Sequence, residues 1–265
     1  MSTMAFPQIM GVVNVTPDSF SDGGRYEKIE DAVAHALQLV EDGADILDIG
    51  GESTRPGSVP ILESVELERV LPVIRGIREK NSTVRISIDT SRSTVARVCV
   101  AEGANIINDV TAGRRDPEMF DVAAKCGVPL IIMHMQGEPQ TMQDNPSYTN
   151  VVKEVKSFLR ERAYLARAAG VRDVMVDPGI GFGKALEHNL ALLSNLDKYS
   201  EVGPVVVGIS RKRFLGTLLG IESAEDRDVA TTMLHALLLS KKVAIIRVHN
   251  VKLVNQLRVL NNALA

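Results

Sequence analysis

The chain has 265 residues, with 30 lysines and arginines against 33 aspartates and glutamates, which gives a net charge of −3. Hydrophobic residues make up 45% and charged residues 24%, a composition typical of a packed globular protein. The near-neutral charge and the aromatic fraction of 4% argue against a nucleic-acid-binding protein, and no apolar run is long enough to cross a membrane. Met1–Pro7 lacks the features of a secretion signal, so we expect a cytoplasmic protein whose two thiols, Cys99 and Cys126, are small buried side chains.

Eight short apolar runs recur along the chain, and each is rich in isoleucine or valine, which predicts a strand buried on both faces. The runs are Ile9–Val13, Ile46–Ile49, Val84–Ile88, Ile106–Ile107, Leu130–Met133, Val174–Val176, Val205–Val207 and Ala244–Val248. Longer amphipathic stretches between them predict helices, among them Ile29–Glu41, Glu63–Lys80, Val151–Ala169 and Val251–Leu260. Strand and helix alternating eight times indicate a parallel sheet.

Glycines mark the ends of several predicted helices. A glycine that leads directly into the next strand closes four of them, at Gly43, Gly103, Gly127 and Gly170. Asp116-Pro117 predicts a helix start, because Asp is a favourable N-cap and proline is tolerated at the first helical position. No linker-like or low-complexity tract interrupts the pattern, so we expect one domain over residues 1–265.

Eight strand–helix units are compatible with a closed barrel or with an open, doubly wound sheet. The polar residues that end the predicted strands follow one another at about 33 residues, close to the unit length of a barrel of about 250 residues. An open dinucleotide-binding sheet would carry G-x-G-x-x-G after its first strand, where this chain has residues 14–19, NVTPDS. We therefore expect an α/β fold, a (β/α)8 TIM barrel.

A polar or charged residue lies at or near the carboxyl end of each predicted strand, where a barrel of this kind builds its active site. These residues are Asn14, Asp48, Asp89, Asn108, His134, Asp177, Ser210 and Arg247. One such residue could merely cap the next helix, but eight together favour a shared pocket.

Two loops and two groups of charged residues at the carboxyl ends of the predicted strands indicate what kind of ligand binds there. Residues 14–24 (NVTPDSFSDGG) and 50–58 (GGESTRPGS) form long polar loops of the kind that bind or cover substrates. Carboxylates and an amide end three strands, while residues 210–213 (SRKR) and 247–249 (RVH) bring cations to the far side. Separate anionic and cationic walls predict a ligand with a hydrogen-bond-donor edge and an anionic tail.

On these motifs the chain resembles the dihydropteroate synthase family, the folate-pathway enzymes that sulfonamides inhibit. The resemblance runs from Ile9 to about Val251 and rests on motifs in order: MGVVNVTPDSFSDGG, DIGGESTRPGS, ISIDTS, IINDVTAG, IIMHMQG, VDPGIGFGK, GISRKRFLG and RVHNV. GESTRPG together with NVTPDSFSDGG in one chain is highly specific.

The resemblance implies that the protein joins 6-hydroxymethyl-7,8-dihydropterin pyrophosphate to 4-aminobenzoate and releases pyrophosphate, with Mg²⁺ present. It implies that Asp177, Asn108 and Asp89 bind the donor edge of the pterin, that Lys212 bonds the ring acceptors and that Arg247 stacks over the ring. The residues it assigns to catalysis are Asp89, Asp177, Lys212, Arg247, His249 and Asn14, and those that it adds for substrate binding are Asp48, Ser53, Thr54, Arg55, Pro56, Asn108, Met133, Phe182 and Gly208.

The implied mechanism separates charge. Loss of pyrophosphate leaves a cation on the pterin methylene, which Asp89 would stabilise, while Asn14, Arg247 and His249 hold the pyrophosphate, Asn14 through Mg²⁺. The two loops would then exclude water and form the aminobenzoate site with Phe182. Members of the family are commonly homodimers through helices at the barrel's end.

Several residues depart from the family pattern or stay open. Arg213 stands where relatives often carry serine, so either its charge or its backbone N–H could bind the benzoate carboxylate. His35, His188 and His235 fall in helical stretches and are expected to be surface or packing residues. For His134 a rim role and a structural role are equally compatible with the pattern.

Two other functions compete with a synthase. One is a pterin-dependent methyltransferase on the same barrel, which would work with a corrinoid partner and would not need the ESTRPG loop. The other is a silent paralogue that binds pterins or regulates, which would be expected to have lost residues of the loops and the rim.

Overall fold

The computed structural model describes residues 5–16, 25–54 and 57–264. Eight parallel strands pair in sequence order, and the last pairs with the first, so the sheet closes into a barrel. The strands are β1 Gln8–Asn14, β2 Ile46–Gly50, β3 Arg85–Asp89, β4 Ile106–Asp109, β5 Leu130–Met133, β6 Val174–Asp177, β7 Val205–Gly208 and β8 Val243–Val248. The predicted (β/α)8 barrel is confirmed, with every strand within three residues of its expected bounds.

Helices lie on the outside of the barrel, and all but the last lie between successive strands in the chain. They are α1 Arg25–Glu41, α2 Glu63–Lys80, α3 Ser93–Ala101, α4 Met119–Cys126, α5 Val151–Ala168, α6 Leu186–Ser194, α7 Arg213–Leu219, α8 Asp228–Leu238 and α9 Val251–Leu264, with short 3-10 turns at Leu196–Glu201 and Glu225–Arg227. Within the described residues, no helix has both the length and the apolar content that a membrane span requires.

The strands alternate between two apolar clusters, as a strand buried on both faces must. One set of side chains packs outward against the helices, for example Ile9, Leu47 and Val207. The other set forms a separate cluster inside the barrel, made of Met10, Ile46, Ile106, Ile131, Met175, Val206 and Ile245. This inner cluster is the floor on which the polar residues nearer the carboxyl ends of the strands lie.

The helices end where the glycines predict, whereas the predicted start of one helix is displaced. All four glycines have positive φ angles, and Gly127, at φ 67°, is the left-handed C-cap of α4. Helix α4 begins at Met119, two residues later than the Asp116-Pro117 pattern predicts. The reason is that the Asp116 carboxylate accepts N–H groups of both Glu118, at 3.1 Å, and Ser93, the first residue of α3, at 2.7 Å. It therefore caps α3 as well as the turn before α4.

The two cysteines differ in burial. Cys99 lies inside α3 and is fully buried, as expected. The expectation was wrong for Cys126, which is half-buried because it occupies the last position of α4, beside the exposed Gly127.

Candidate active site

A pocket opens at the carboxyl ends of the strands. Its lining combines carboxylates, an amide, cations and apolar side chains: Val12, Thr54, Asp89, Asn108, Val110, Met133, Asp177, Ile180, Phe182, Gly208, Ser210, Lys212, Arg247 and His249. The prediction of one shared pocket at this end of the barrel therefore agrees with the structure for most of the residues it named.

The strand period explains which residues reach the pocket. Side chains alternate in direction, so the positions two residues beyond the inner cluster also point inward. Those positions hold Val12, Asp48, Asn108, Met133, Asp177, Gly208 and Arg247. Register places Asp89 beside Asn108, Asp177 beside Met133 and Arg247 beside Gly208 across neighbouring strands.

Arg247 joins the carboxylates of the pocket in an ion-pair network. Its Nε lies 2.6 Å from Oδ2 of Asp48, and its Nη2 lies 2.9 Å from Oδ2 of Asp89. The Asn108 amide donates to the same oxygen of Asp48 at 3.2 Å. Asp48 is fully buried below the pocket, and it reaches the lining only through these two partners.

The prediction of separate anionic and cationic walls is wrong for Arg247, which is paired with two carboxylates. An uncompensated buried carboxylate costs roughly 3–5 kcal/mol, so the guanidinium lies between the two carboxylates instead of opposite them. The Asp48 carboxylate still has one oxygen, Oδ1, that makes no hydrogen bond within the described residues.

Burial favours the neutral forms of two carboxylates in the pocket, Asp89 and Asp177. Burial raises the pKa of Asp89, and the nearby charge of Asp48 raises it further, while the Arg247 charge opposes both. Burial also raises the pKa of Asp177, against the N–H of Gly179, which donates to Asp177 Oδ1 at 2.7 Å. A ligand that donates hydrogen bonds to these oxygens stabilises their charged forms.

Lys212 is the cation that the SRKR segment contributes to the pocket. Its Nζ donates to the Ile180 carbonyl at 2.7 Å and lies 3.9 Å from the centre of the Phe182 ring. Burial lowers the pKa of Lys212 to about 7, while the Asp177 charge acts in the opposite direction. The ammonium is therefore poorly solvated and available to an acceptor on a ligand.

The expectation that the whole segment supplies cations to the site is wrong for Arg211, whereas the role of Arg213 stays a prediction. Arg211 makes a bidentate pair with Asp228 of α8, with both N···O distances 2.8 Å, and does not line the pocket. Arg213 is exposed at the first position of α7.

His249 lies at the same mouth, next to Ser210. The Ser210 hydroxyl lies 3.1 Å from the backbone nitrogen of His249 and 3.0 Å from its Nδ1. These two contacts hold the imidazole at the mouth of the pocket.

The loops after β1 and β2 are only partly described. Asn14 is half-buried at the last position of β1 and pairs in register with Gly50, but it does not line the pocket. Thr54 lines the pocket, and Ser53 is half-buried beside it. Arg55, Pro56 and residues 17–24 of the first loop lie outside the described residues.

An ion-pair network that the sequence did not reveal anchors the second loop at its root. Glu52 pairs with Arg92 at 2.6 Å and with Arg115 at 2.5 Å, and Arg92 also contacts the buried Glu66 of α2. Arg69 donates to the carbonyl of Gly51 at 2.8 Å. Burial would raise the pKa of Glu52, but the hydrogen bonds and charges of Arg115 and Arg92 lower it overall.

His134 has a structural setting, which resolves the alternative left open by its position. It follows the inward-facing Met133, so it points away from the pocket, and its ring packs edge-on against Phe158 of α5 at 5.0 Å. Lys184 Nζ lies 3.1 Å from its Nδ1. Burial, together with the charges of Lys184 and Arg114, lowers the pKa of His134 to about 3, so the ring is neutral.

Known proteins share the sequence and the fold of this chain. The family model described as "Pterin binding enzyme" matches residues 10–249. The dihydropteroate synthase of Streptococcus pyogenes is 46% identical over 248 residues, which are 92% of this chain and 90% of that protein.

Two solved structures of dihydropteroate synthase from Xanthomonas albilineans have the same fold. The complex with 4-aminobenzoic acid superposes with a TM-score of 0.91 at 44% identity, covering 98% of this chain and 93% of the other. The complex with 7,8-dihydropteroate superposes with a TM-score of 0.87 at 42% identity, covering 98% and 94%. The chain therefore belongs to the pterin-binding enzyme family and, within it, to the dihydropteroate synthases.

Proposed function

We propose that this protein condenses 6-hydroxymethyl-7,8-dihydropterin pyrophosphate with 4-aminobenzoate to give 7,8-dihydropteroate and pyrophosphate. The single observation that carries the proposal is the convergence of Asp89, Asn108 and Asp177 with Lys212, Arg247 and His249 in one pocket. A pterin offers a flat edge of N–H donors to the first group, and a diphosphate offers anionic oxygens to the second.

Strand residues recognise the pterin. Asn108 of β4 and Asp177 of β6 present oxygen atoms to the ring N–H and amino groups of the pterin. Lys212 donates to the ring acceptors. Each charge-assisted hydrogen bond contributes about 1.5–3 kcal/mol, and a ring lacking the donor edge leaves buried carboxylates unpaired. Selectivity for pterins follows from that difference.

Arg247 connects the two ends of the substrate. Its Nε and one Nη2 hydrogen are directed to Asp48 and Asp89, and its planar fork has further N–H groups for an anion. With His249 it binds the diphosphate, so the departing anion and the developing cation are stabilised from adjacent positions.

The reaction breaks the bond between the pterin methylene carbon and the bridging oxygen, and both electrons leave on pyrophosphate. The positive charge on the methylene carbon is delocalised into the ring and faces the Asp89 carboxylate. The amine nitrogen of aminobenzoate then forms the new C–N bond and loses a proton. No covalent enzyme intermediate is required.

The residues at the mouth fit Mg²⁺ with the diphosphate. Asn14 ends β1 beside Gly50, whose neighbour on β3 is Asp89, so Asn14 lies at the same end of the barrel as the pocket. Mg²⁺ bound to substrate phosphates usually takes only one or two protein oxygens, and an amide oxygen is suitable. When bound, the ion would neutralise charge on the leaving group. Asn14 and the diphosphate would hold it.

The loop after β2 supplies the aminobenzoate end. Thr54 already lines the pocket, and Ser53, Arg55, Pro56 and Phe182 complete the subsite in this proposal. Closure of the two loops over the pocket would exclude water, which would otherwise capture the cation.

The outer face formed by α7, α8 and α9 supports a homodimer. It exposes Leu218, Leu219, Val229, Met233, Leu237, Val259, Leu260 and Leu264. Apolar side chains concentrated on three neighbouring elements are typical of an interface. We propose that a second copy of this chain covers these side chains.

We also propose that residues 1–265 form one domain and that the protein works in the cytoplasm.

A turnover assay tests the proposed reaction against its alternatives. Protein, pterin pyrophosphate, 4-aminobenzoate and Mg²⁺ are mixed, and pyrophosphate release is followed with and without aminobenzoate. We expect release that depends on the arylamine and matches dihydropteroate formed. Binding of pterin without release would indicate a silent paralogue. A separate mixture with a methylated pterin and a corrinoid protein tests the methyltransferase, which methyl transfer there would indicate.

A further inference from the structure

The segment Gly179–Gly183, which we call the glycine strap, follows β6 and carries Phe182 into the pocket. Four consecutive carbonyls of the strap each accept a side-chain hydrogen bond. The pairs are Lys212 Nζ to Ile180 O at 2.7 Å, Gln143 Nε2 to Gly181 O at 2.5 Å, Lys184 Nζ to Phe182 O at 2.9 Å and Tyr148 Oη to Gly183 O at 2.7 Å. Only Lys212 among these donors has a place in the proposed reaction.

Lys184 is the buried donor of the four. Only 3% of it is exposed, and its ammonium has three acceptors: Phe182 O at 2.9 Å, His134 Nδ1 at 3.1 Å and His134 O at 3.3 Å. Three N–H groups matched by three acceptors suit the protonated amine and the His134 tautomer that carries its proton on Nε2. A buried ammonium that loses an acceptor is costly. We therefore expect its hydrogen bonds to hold the carbonyls of His134 and Phe182 in place.

The strap lies tightly against the segment that follows β5. A Cβ at Gly183, whose φ is 62°, would come within 2.5 Å of the Gln136 carbonyl, and one at Gly179 would collide with the His134 carbonyl. Lys184 ties together the same two segments, since it bonds both His134 and Phe182. Lys184 therefore holds the Phe182 carbonyl, while the N–H of Phe182 donates to the Gly179 carbonyl at 3.1 Å.

We propose that Lys184 is a positioning residue for the aminobenzoate subsite and acts by fixing Phe182. The ring of Phe182 lines the pocket and rests 3.9 Å from Lys212 Nζ, so a shift of its peptide displaces a wall of the mouth. Asp89, Asn108 and Asp177 lie on strands, and Asp177 meets the strap at its first residue, Gly179, whose N–H donates to Oδ1 at 2.7 Å, three residues before the peptide that Lys184 holds. The inference rests on the proposed function, and it predicts that loss of the Lys184 hydrogen bonds weakens the binding of aminobenzoate and not that of the pterin.

Lys184→Met tests the inference, because methionine keeps the length of the side chain and removes its donors. We expect the KM for aminobenzoate to rise about tenfold, as for loss of one buried hydrogen bond, while the affinity for pterin pyrophosphate stays within about twofold. Lys241→Met is the matched control, since Lys241 also donates to a carbonyl, that of Ser194 at 3.0 Å, but outside the pocket. It should leave both constants unchanged. An equal loss for both substrates in Lys184→Met would overturn the inference.

A double-mutant cycle separates action through Phe182 from a general effect. In the Phe182→Ala background, Lys184→Met should change the KM for aminobenzoate by less than about twofold, because the wall it positions is gone. Full additivity of the two changes would contradict the inference. Wild-type protein that makes no dihydropteroate would instead refute the proposed function.

Tyr148→Phe keeps the test decisive if Lys184→Met does not fold. It removes only the hydroxyl that bonds the Gly183 carbonyl, so we expect a folded protein with a two- to threefold rise, roughly, in the same KM. An unchanged KM in this variant, with Lys184→Met insoluble, would overturn the positioning role.

Discussion

Asp89 and Arg247 illustrate how one residue pair can serve both ends of a substrate. Arg247 neutralises Asp48 and Asp89 in the free pocket, and burial keeps the pKa of Asp89 above its ordinary value. A ligand that brings positive charge to Asp89 and negative charge to Arg247 replaces this pairing with a stronger one. In the proposed reaction, the site would thus favour charge that develops in the transition state over charge in the resting substrate.

Asp89→Asn tests the electrostatic role of this carboxylate. The amide can still accept a hydrogen bond from the pterin but carries no charge, so we expect kcat to fall by about 10²–10³ and the pterin Kd to change by less than about tenfold. Steady-state rates and calorimetric titration with the pterin measure the two quantities. Asp45→Asn, which removes a carboxylate paired with Arg258 away from the pocket, is the control. Equal losses of kcat and affinity would mean that Asp89 only binds.

His235 predicts a loss of stability in acid that is separate from catalysis. It is buried in α8 with neither ring nitrogen hydrogen-bonded within the described residues, and burial lowers its pKa to about 3 from 6.5. The unfolded chain therefore binds more protons between these values, so His235 makes the free energy of unfolding decrease as pH falls from about 6.5 towards 3.

His235→Leu should remove this term. Thermal unfolding followed at pH 8 and pH 5 should give a larger gain in Tm at pH 5 than at pH 8, relative to wild type. His188→Leu is the comparison, because His188 Nδ1 accepts the N–H of Ala185 and the ring is not fully buried. A gain for His235→Leu that is the same at both pH values would contradict the acid-linked term.

At the scale of elements, the strands and the inward direction of their polar residues could be predicted because both follow from local pattern. Asn108, Asp177 and Arg247 lie two residues beyond the inner cluster, and that parity is visible in the sequence. The ion pairs of Arg247 could not be predicted, since they join residues 199 and 158 positions apart. The same holds for the contact between Lys184 and His134, which are 50 positions apart.

The root of the second loop makes an element-scale prediction. Glu52→Gln removes the charge that Arg92 and Arg115 hold and keeps the shape, so the loop should be less ordered. We expect the KM for aminobenzoate to rise about threefold to tenfold with pterin affinity preserved. Enzyme kinetics with each substrate varied separately measure this.

Glu102→Gln is its control, because Glu102 forms a surface pair with Arg75 at 2.7 Å on the outside of the barrel. It should leave both constants at their wild-type values. A loss of pterin affinity in Glu52→Gln as large as the loss for aminobenzoate would show that this network supports the barrel and not the loop.

At the scale of the molecule, the exposed face of α7, α8 and α9 predicts assembly. Light scattering after size-exclusion chromatography should give twice the mass of the chain, and Leu237→Glu, at a site 75% exposed in the single chain, should give the mass of one. Tyr164→Glu, at an equally exposed site on α5, should leave the mass unchanged. A wild-type protein that runs as a monomer at micromolar concentration would contradict the proposed interface.

The closed barrel brings residues from the first and last strands to one mouth, and the central proposal is that this mouth separates a pterin cation from pyrophosphate before the amine attacks. Positional isotope exchange tests it directly, with ¹⁸O in the oxygen that bridges the methylene carbon and the diphosphate. In a buffer containing Mg²⁺ and 4-methylbenzoate, which lacks the nucleophilic amine, we predict that the label scrambles into non-bridging positions with the wild-type protein and not with Asp89→Asn. A wild-type enzyme that makes dihydropteroate yet leaves the label entirely in the bridge would contradict the account.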